Sequence, residues 1–184
     1  AYVLQTLAAT MPAGTIVVEE SASTRGPFYD QIRIDQPGGY FATGSGGLGY
    51  AVPAAVGVQL ARPEQPVACV VGDGAAMYAI QALWTAAHER APVVFVVLNN
   101  GHYAILKAFA AFGQHGDRIP GLDLPHLDIA AIARGFGCAG RRVERAADLA
   151  GALRQAFAAR GEGVSTVLDV AIDRTVPELF PRRA

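Results

Sequence analysis

Two stretches of the chain, VACVV at 67–71 and VVFVVL at 93–98, are apolar without interruption. A strand with one face in water alternates apolar and polar residues. An unbroken run needs cover on both faces, which is the situation of strands in a parallel sheet between layers of helices. Other β-rich segments are read at 15–19, 40–43, 139–143 and 164–171. Helical periodicity fills intervals between them at 51–61, 75–88, 102–112, 128–135 and 146–160, with a further helical pattern (Leu4, Leu7, Ala8) at the start. The alternation predicts an α/β fold: a doubly wound, mainly parallel sheet of about six strands with helices on both faces. In 75–88, Met77, Ile80, Trp84 and Ala87 recur at helical spacing and predict a buried stripe. Leu149, Leu153 and Phe157 do the same every four residues in 146–160.

Composition narrows the classes. Apolar residues make up 52% of the 184 and charged residues 17%, enough to fill the core of one domain spanning 1–184. A net charge of −1 gives no electrostatic footprint for nucleic acid or an anionic membrane. No apolar run reaches the ~18–20 residues of a membrane span. Cys69 and Cys138 stand without CxxC or Cys/His spacing and are expected to be reduced core thiols of a cytoplasmic protein. The chain opens at Ala1, inside a helical pattern; a piece of a longer protein and a separately encoded subunit are both consistent with that.

Ligands of doubly wound sheets bind beyond the carboxyl ends of the strands. Three such ends are unusual here. The first strand ends in VVEESAST, residues 17–24, where Glu19 and Glu20 are expected to be solvated charges rather than a paired acid/base site. The third strand ends in VVGDGAA. Glycines flank Asp73, and the helix start behind it aims the amides of Gly74 and Ala75 at one spot, a seat for phosphate. The fourth ends in VVLNNGHYA, whose asparagine pair, Asn99 and Asn100, lies one helix and one strand beyond Gly74. A carboxylate and an amide oxygen at neighbouring strand ends, with room for phosphate oxygens and water, form the ligand set of Mg²⁺.

The glycine cluster FATGSGGLGYAVPAA, residues 41–55, poses a separate question. Gly44, Gly46 and Gly49 fit G-x-G-x-x-G, the turn that cradles a dinucleotide pyrophosphate, with Asp73 as a plausible ribose acid. That NAD reading, a dehydrogenase domain, gives no reason for Gly72 and Gly74 to flank the acid or for the asparagine pair one strand later.

Taken together, GDG, 24 residues (75–98) and NN resemble the cofactor motif of thiamine diphosphate-dependent enzymes, in the domain that grips the diphosphate. GSGGLGYAVPAAVGVQLA, GDGAAMYAIQALWTAA and LNNGHYAILKAF extend the resemblance over nearly the whole chain, most closely to the benzoylformate decarboxylase branch and more distantly to acetolactate synthases. The resemblance implies thiamine diphosphate and Mg²⁺ as cofactors. It implies that Asp73, the Asn100 side chain and the His102 carbonyl bind the metal. It also implies that the amides of Gly74, Ala75 and Tyr103, with Ser23, face the diphosphate. The glycine-rich stretch is then assigned to the aminopyrimidine: the Gly46 carbonyl accepts from its amino group and Leu48 is the apolar wedge beneath it. Ala22 and Ala75 stand where relatives carry hydroxyl residues.

For function, the resemblance implies a lyase or carboligase acting on a 2-oxo acid, with Ala104, Ile105 and Phe109 toward an apolar substrate. The activating glutamate belongs to a pyrimidine-side domain of the same or another subunit, in a homodimer or homotetramer, so the chain alone is expected to be inactive. A non-catalytic module that keeps the fold is the alternative from another class. His88, His115 and His126 have no partner spacing and are expected at the surface.

Overall fold

The structure is a computed structural model that describes residues 1–112 and 119–176. Its centre is a six-stranded sheet, every pairing parallel, in the order β2-β1-β3-β4-β6-β5. The strands are β1 (Ile16–Glu20), β2 (Tyr40–Ala42), β3 (Val67–Gly72), β4 (Val94–Asn99), β5 (Ala139–Val143) and β6 (Thr166–Ala171). The helices among the described residues are α1 (Tyr2–Thr10), α2 (Arg25–Gln31), α3 (Ala51–Ala61), α4 (Asp73–Ala76), α5 (Ala82–His88), α6 (Ala104–Phe112), α7 (Ile129–Gly135) and α8 (Ala146–Ala159).

The unbroken apolar runs bury both faces of the central strands. On β3, Cys69 and Val71 join Val18, Phe95, Val97, Val52, Leu83 and Ile129 in the core under α3, α5 and α7. Ala68 and Val70 join Val17, Val96, Leu4, Phe28, Leu153 and Phe157 in the core under α1, α2 and α8. Side chains such as Val67, Val70 and Val96 are fully buried, each worth about 1.5–3 kcal/mol of transfer free energy. Cys69 and Cys138 are free and buried; burial pushes the Cys138 thiol up to about 11 and the Cys69 thiol well above its ordinary value, which keeps both protonated.

The expected helix over 75–88 is broken. Met77 to Gln81 pass through successive turns closed by bonds of the three-residue kind, Tyr78 N–H to Ala75, Ala79 to Ala76 and Ala82 to Ala79. That rotation rephases the segment, so Leu83 and Ala86 enter the core while Met77 and Trp84 of the expected stripe stand 37% and 53% exposed. Trp84 stacks instead on His88, itself 62% exposed. Helix α2 lies outside the helical intervals expected from the sequence; proline is tolerated in a first turn, and Phe28 and Ile32 tie this helix to the core. His126 is exposed, and His115 lies outside the described residues with 113–118.

Candidate functional site

Sheet order creates a crevice at the ends of β1 and β3. From β1 the chain runs to β2 on one side, and from β3 to β4 on the other, a switch point of the kind that binds ligands. A cleft open to solvent occupies it. Ser23, Leu48, Asp73, Gly74, Ala75, Asn100, His102 and Tyr103 all line this cleft, together with Ala104 and Ile105. Gly46 does not; it is exposed on the glycine turn at φ +71°. Phe109 is half exposed on α6.

Asp73 begins α4 directly beyond β3 and is 3% exposed; Asn100 follows β4 and is 9% exposed. The Asp73 Oδ1 accepts from the Gly74 N–H at 2.9 Å, and Oδ2 accepts from the Gly101 N–H at 2.7 Å. Gly101 sits at φ +72°, a left-handed turn that glycine takes without strain, and so folds the asparagine loop onto the carboxylate. Asn100 Oδ1 accepts from the His102 N–H at 3.1 Å. Burial holds the Asp73 carboxyl above its ordinary value, although both amides pull it down. Among the described residues no lysine or arginine pairs with it.

These donors fit a small hard cation. Each Asp73 oxygen keeps a lone pair free beyond its amide bond, and the Asn100 oxygen does likewise. No group of three His, Cys, Asp or Glu gathers among the described residues. Mg²⁺ takes oxygen donors of this kind and completes its shell from phosphate and water.

The other predicted contacts are differently engaged. The Gly74 amide is taken by Asp73, and the Tyr103 amide donates to the Leu122 carbonyl at 2.8 Å, beside the antiparallel bridge between His102 and Asp123. The His102 carbonyl accepts from Ala104 at 3.0 Å. Its imidazole is buried, Nε2 lacks a partner, and burial lowers its pKa, so the ring is neutral at physiological pH. A Cβ on Gly74 would collide with the Tyr103 ring, so that glycine is needed for close packing. Ser23 lies in a short turn, Ala22–Thr24, and Leu48 is half-buried against the α3 side of the core.

The glycine turn has a clear physical answer. Glu20 was expected in water but is 3% exposed, and its two oxygens accept from the Gly49 N–H at 2.7 Å and the Ala51 N–H at 2.6 Å. A dinucleotide pyrophosphate would need those helix-start amides; here a carboxylate already holds them, and its charge repels phosphate. Glu19 is also buried, at 0% exposure, and bonds Ser21 and the Tyr40 hydroxyl with Arg25 at 3.5 Å. Both glutamates are therefore structural anchors, not solvated charges. The signal for Glu20 was present: an acid closing a buried strand can serve as the internal anion of a following helix start.

A match to the family described as "Thiamine pyrophosphate enzyme, C-terminal TPP binding domain" spans residues 26–170. The chain belongs to this family. Its fold and cofactor, thiamine diphosphate, follow from that membership; Mg²⁺ is the usual partner metal of such enzymes. Benzoylformate decarboxylase of Pseudomonas aeruginosa is 45% identical over 157 residues, 85% of this chain and 30% of the relative. Acetolactate synthase of Bacillus subtilis is 36% identical over 126 residues, 68% of this chain and 21% of the relative. The crystal structure of benzoylformate decarboxylase from Polynucleobacter necessarius superposes with a TM-score of 0.89 at 35% identity, covering 96% of this chain and 33% of that one. The chain thus spans about a third or less of the length of these relatives. Nothing supports the dehydrogenase reading.

Proposed function

We propose that this chain is the diphosphate- and metal-holding part of a thiamine diphosphate-dependent 2-oxo acid decarboxylase of the benzoylformate decarboxylase kind, working in the cytoplasm as a homodimer or homotetramer. The observation that carries the reading is that buried Asp73 and Asn100, from adjacent strand ends, line one cleft, with the Gly101 N–H tying the asparagine loop to Asp73 Oδ2. In this reading Asp73, the Asn100 oxygen and the His102 carbonyl hold Mg²⁺. Ser23 and the Ala75 amide face the diphosphate, while the Gly74 and Tyr103 amides, expected there as well, donate to Asp73 and to the Leu122 carbonyl instead; Gly46 and Leu48 seat the aminopyrimidine. Bound thiamine diphosphate supplies a carbon nucleophile and an electron sink for loss of CO₂ from a 2-oxo acid. This chain's part is to anchor the charged end and to keep the ring side apolar through Leu48.

Because the chain covers so small a share of its relatives, the pyrimidine-side acid is assigned to another domain of the same polypeptide or to a partner subunit. The 184-residue chain alone is expected to give no turnover of 2-oxo acids; sustained decarboxylation by it would overturn that division of labour. Ala104 and Ile105 on the cleft wall favour an apolar substituent on the substrate. The full-length protein, assayed on benzoylformate and pyruvate, is expected to show the higher kcat/KM on benzoylformate. Conversion of pyruvate alone, with acetolactate as product, would favour the second reading, a carboligase like the Bacillus subtilis relative.

Leu48 gives a finer test. Leu48→Ala removes bulk from the cleft wall and leaves the metal donors untouched, so diphosphate affinity should hold while the rate falls by roughly 100-fold, the scale of a 1 Å misplacement. Equal rates would reduce Leu48 to packing.

A further inference from the structure

Behind the asparagine loop lies a fully buried carboxylate that the reading above does not use. Asp169 sits within β6 at 0% exposure, where a charge is costly unless it is paired. Its Oδ1 accepts from Asn99 Nδ2 and from Arg142 Nη1, each at 2.8 Å, while Oδ2 has no hydrogen-bond partner. Asn99, held by its amide nitrogen, turns its own oxygen to the Gly101 N–H at 3.1 Å. The same N–H donates to Asp73 at 2.7 Å. A continuous chain therefore runs from Arg142 on β5 through Asp169 on β6 and Asn99 at the end of β4 to Asp73 beyond β3.

The direction of each bond matters. The two ends of an asparagine side chain have nearly the same shape but opposite hydrogen-bonding character. An ionised aspartate only accepts, so it selects the orientation that aims the Asn99 oxygen, not its NH₂, at Gly101. With the amide reversed, two donors would face each other and the loop would lift from Asp73.

We propose that Asp169, held by Arg142, is a positioning residue for the metal loop: it sets the Asn99 amide and, through Gly101, holds the Asp73 carboxylate ready for the cation. This deepens the proposed function and rests on it. The test is the Mg²⁺ dependence of thiamine diphosphate binding, followed by calorimetry on the full-length protein. Asp169→Ala should raise the Mg²⁺ concentration at half-saturation by about 10–100-fold, the usual cost of losing an outer partner of a metal ligand. Affinity for thiamine diphosphate at saturating Mg²⁺ should stay at the parent value. Asp169→Asn keeps an acceptor for Asn99 and should restore most of the Mg²⁺ affinity, a rescue that a purely structural role would not predict. An unchanged Mg²⁺ requirement in Asp169→Ala, or an Asn variant as impaired as the Ala variant, overturns the proposal. Should Asp169→Ala fail to fold, Arg142→Gln serves instead: its side chain is 38% exposed and leaves no core cavity. It should raise the Mg²⁺ requirement by a smaller factor, and no change would again overturn the role. A parent protein whose binding ignores Mg²⁺ would defeat the proposed function itself, and this proposal with it; normal dependence in the parent with no change in the variants defeats the positioning role alone.

Discussion

Asp73→Ala is expected to abolish Mg²⁺-dependent binding of thiamine diphosphate in the full-length protein, an affinity loss beyond about 100-fold, the upper end of what even an outer partner of a metal ligand is worth. A divalent cation bridging to diphosphate needs protein charge to stay in place, and the other carboxylate of the cleft, Glu20, has both oxygens committed to the Gly49 and Ala51 amides. Asn100 and backbone carbonyls supply dipoles but no charge. The variant should fold: Asp73 carries a raised pKa through burial, so removing it relieves desolvation and leaves the Gly74 and Gly101 amides as the cost. Calorimetric titration at several Mg²⁺ concentrations reads the effect. Binding equal to the parent's would remove Asp73 from the metal site.

Glu20→Ala has the second large expected effect, on stability as well as on the site. Two charge-assisted hydrogen bonds tie the end of β1 to the glycine turn and the start of α3, and the Ala51 amide is buried. Leaving such donors unpaired costs about 1–3 kcal/mol each, so urea unfolding should report a loss of about 3 kcal/mol. Gly49 sits at φ +94° with Tyr78 Cβ 3.1 Å from where a Cβ would be, so this turn is held closely on its other side as well. Freed from Glu20, it no longer fixes Leu48 in the cleft, and the rate should fall along with stability. Glu20→Gln keeps one acceptor but sets an NH₂ against a backbone N–H, and about half the loss is expected. A Glu20→Ala variant as stable as the parent would show that the anchoring is not what holds the turn.

Parallel pairing was legible because it follows from local chemistry. Runs such as 67–71 and 93–98 have no polar face, and only a doubly covered strand can use them. The strand ends carrying Asp73 and Asn100 were legible for a related reason: glycine and asparagine mark where the backbone must turn tightly. Order within the sheet was not, since β5 and β6 exchange their sequential places through long-range pairing that no local pattern encodes. Helix phase between 77 and 84 was misread because three-residue turns and four-residue turns share the same composition. Glu19, Glu20 and Asp169 escaped because a buried carboxylate looks like a solvated one until its donors are known, and those donors lie 29 residues away for Gly49 and 70 for Asn99.

The direct measurement is crystallographic. Crystals of the full-length protein grown with thiamine diphosphate and Mn²⁺ in place of Mg²⁺, collected at the manganese edge, should show an anomalous peak within metal–oxygen bonding distance of an Asp73 oxygen and of Asn100 Oδ1. Diphosphate density with no metal touching these two side chains, or a peak at another site, would contradict the account.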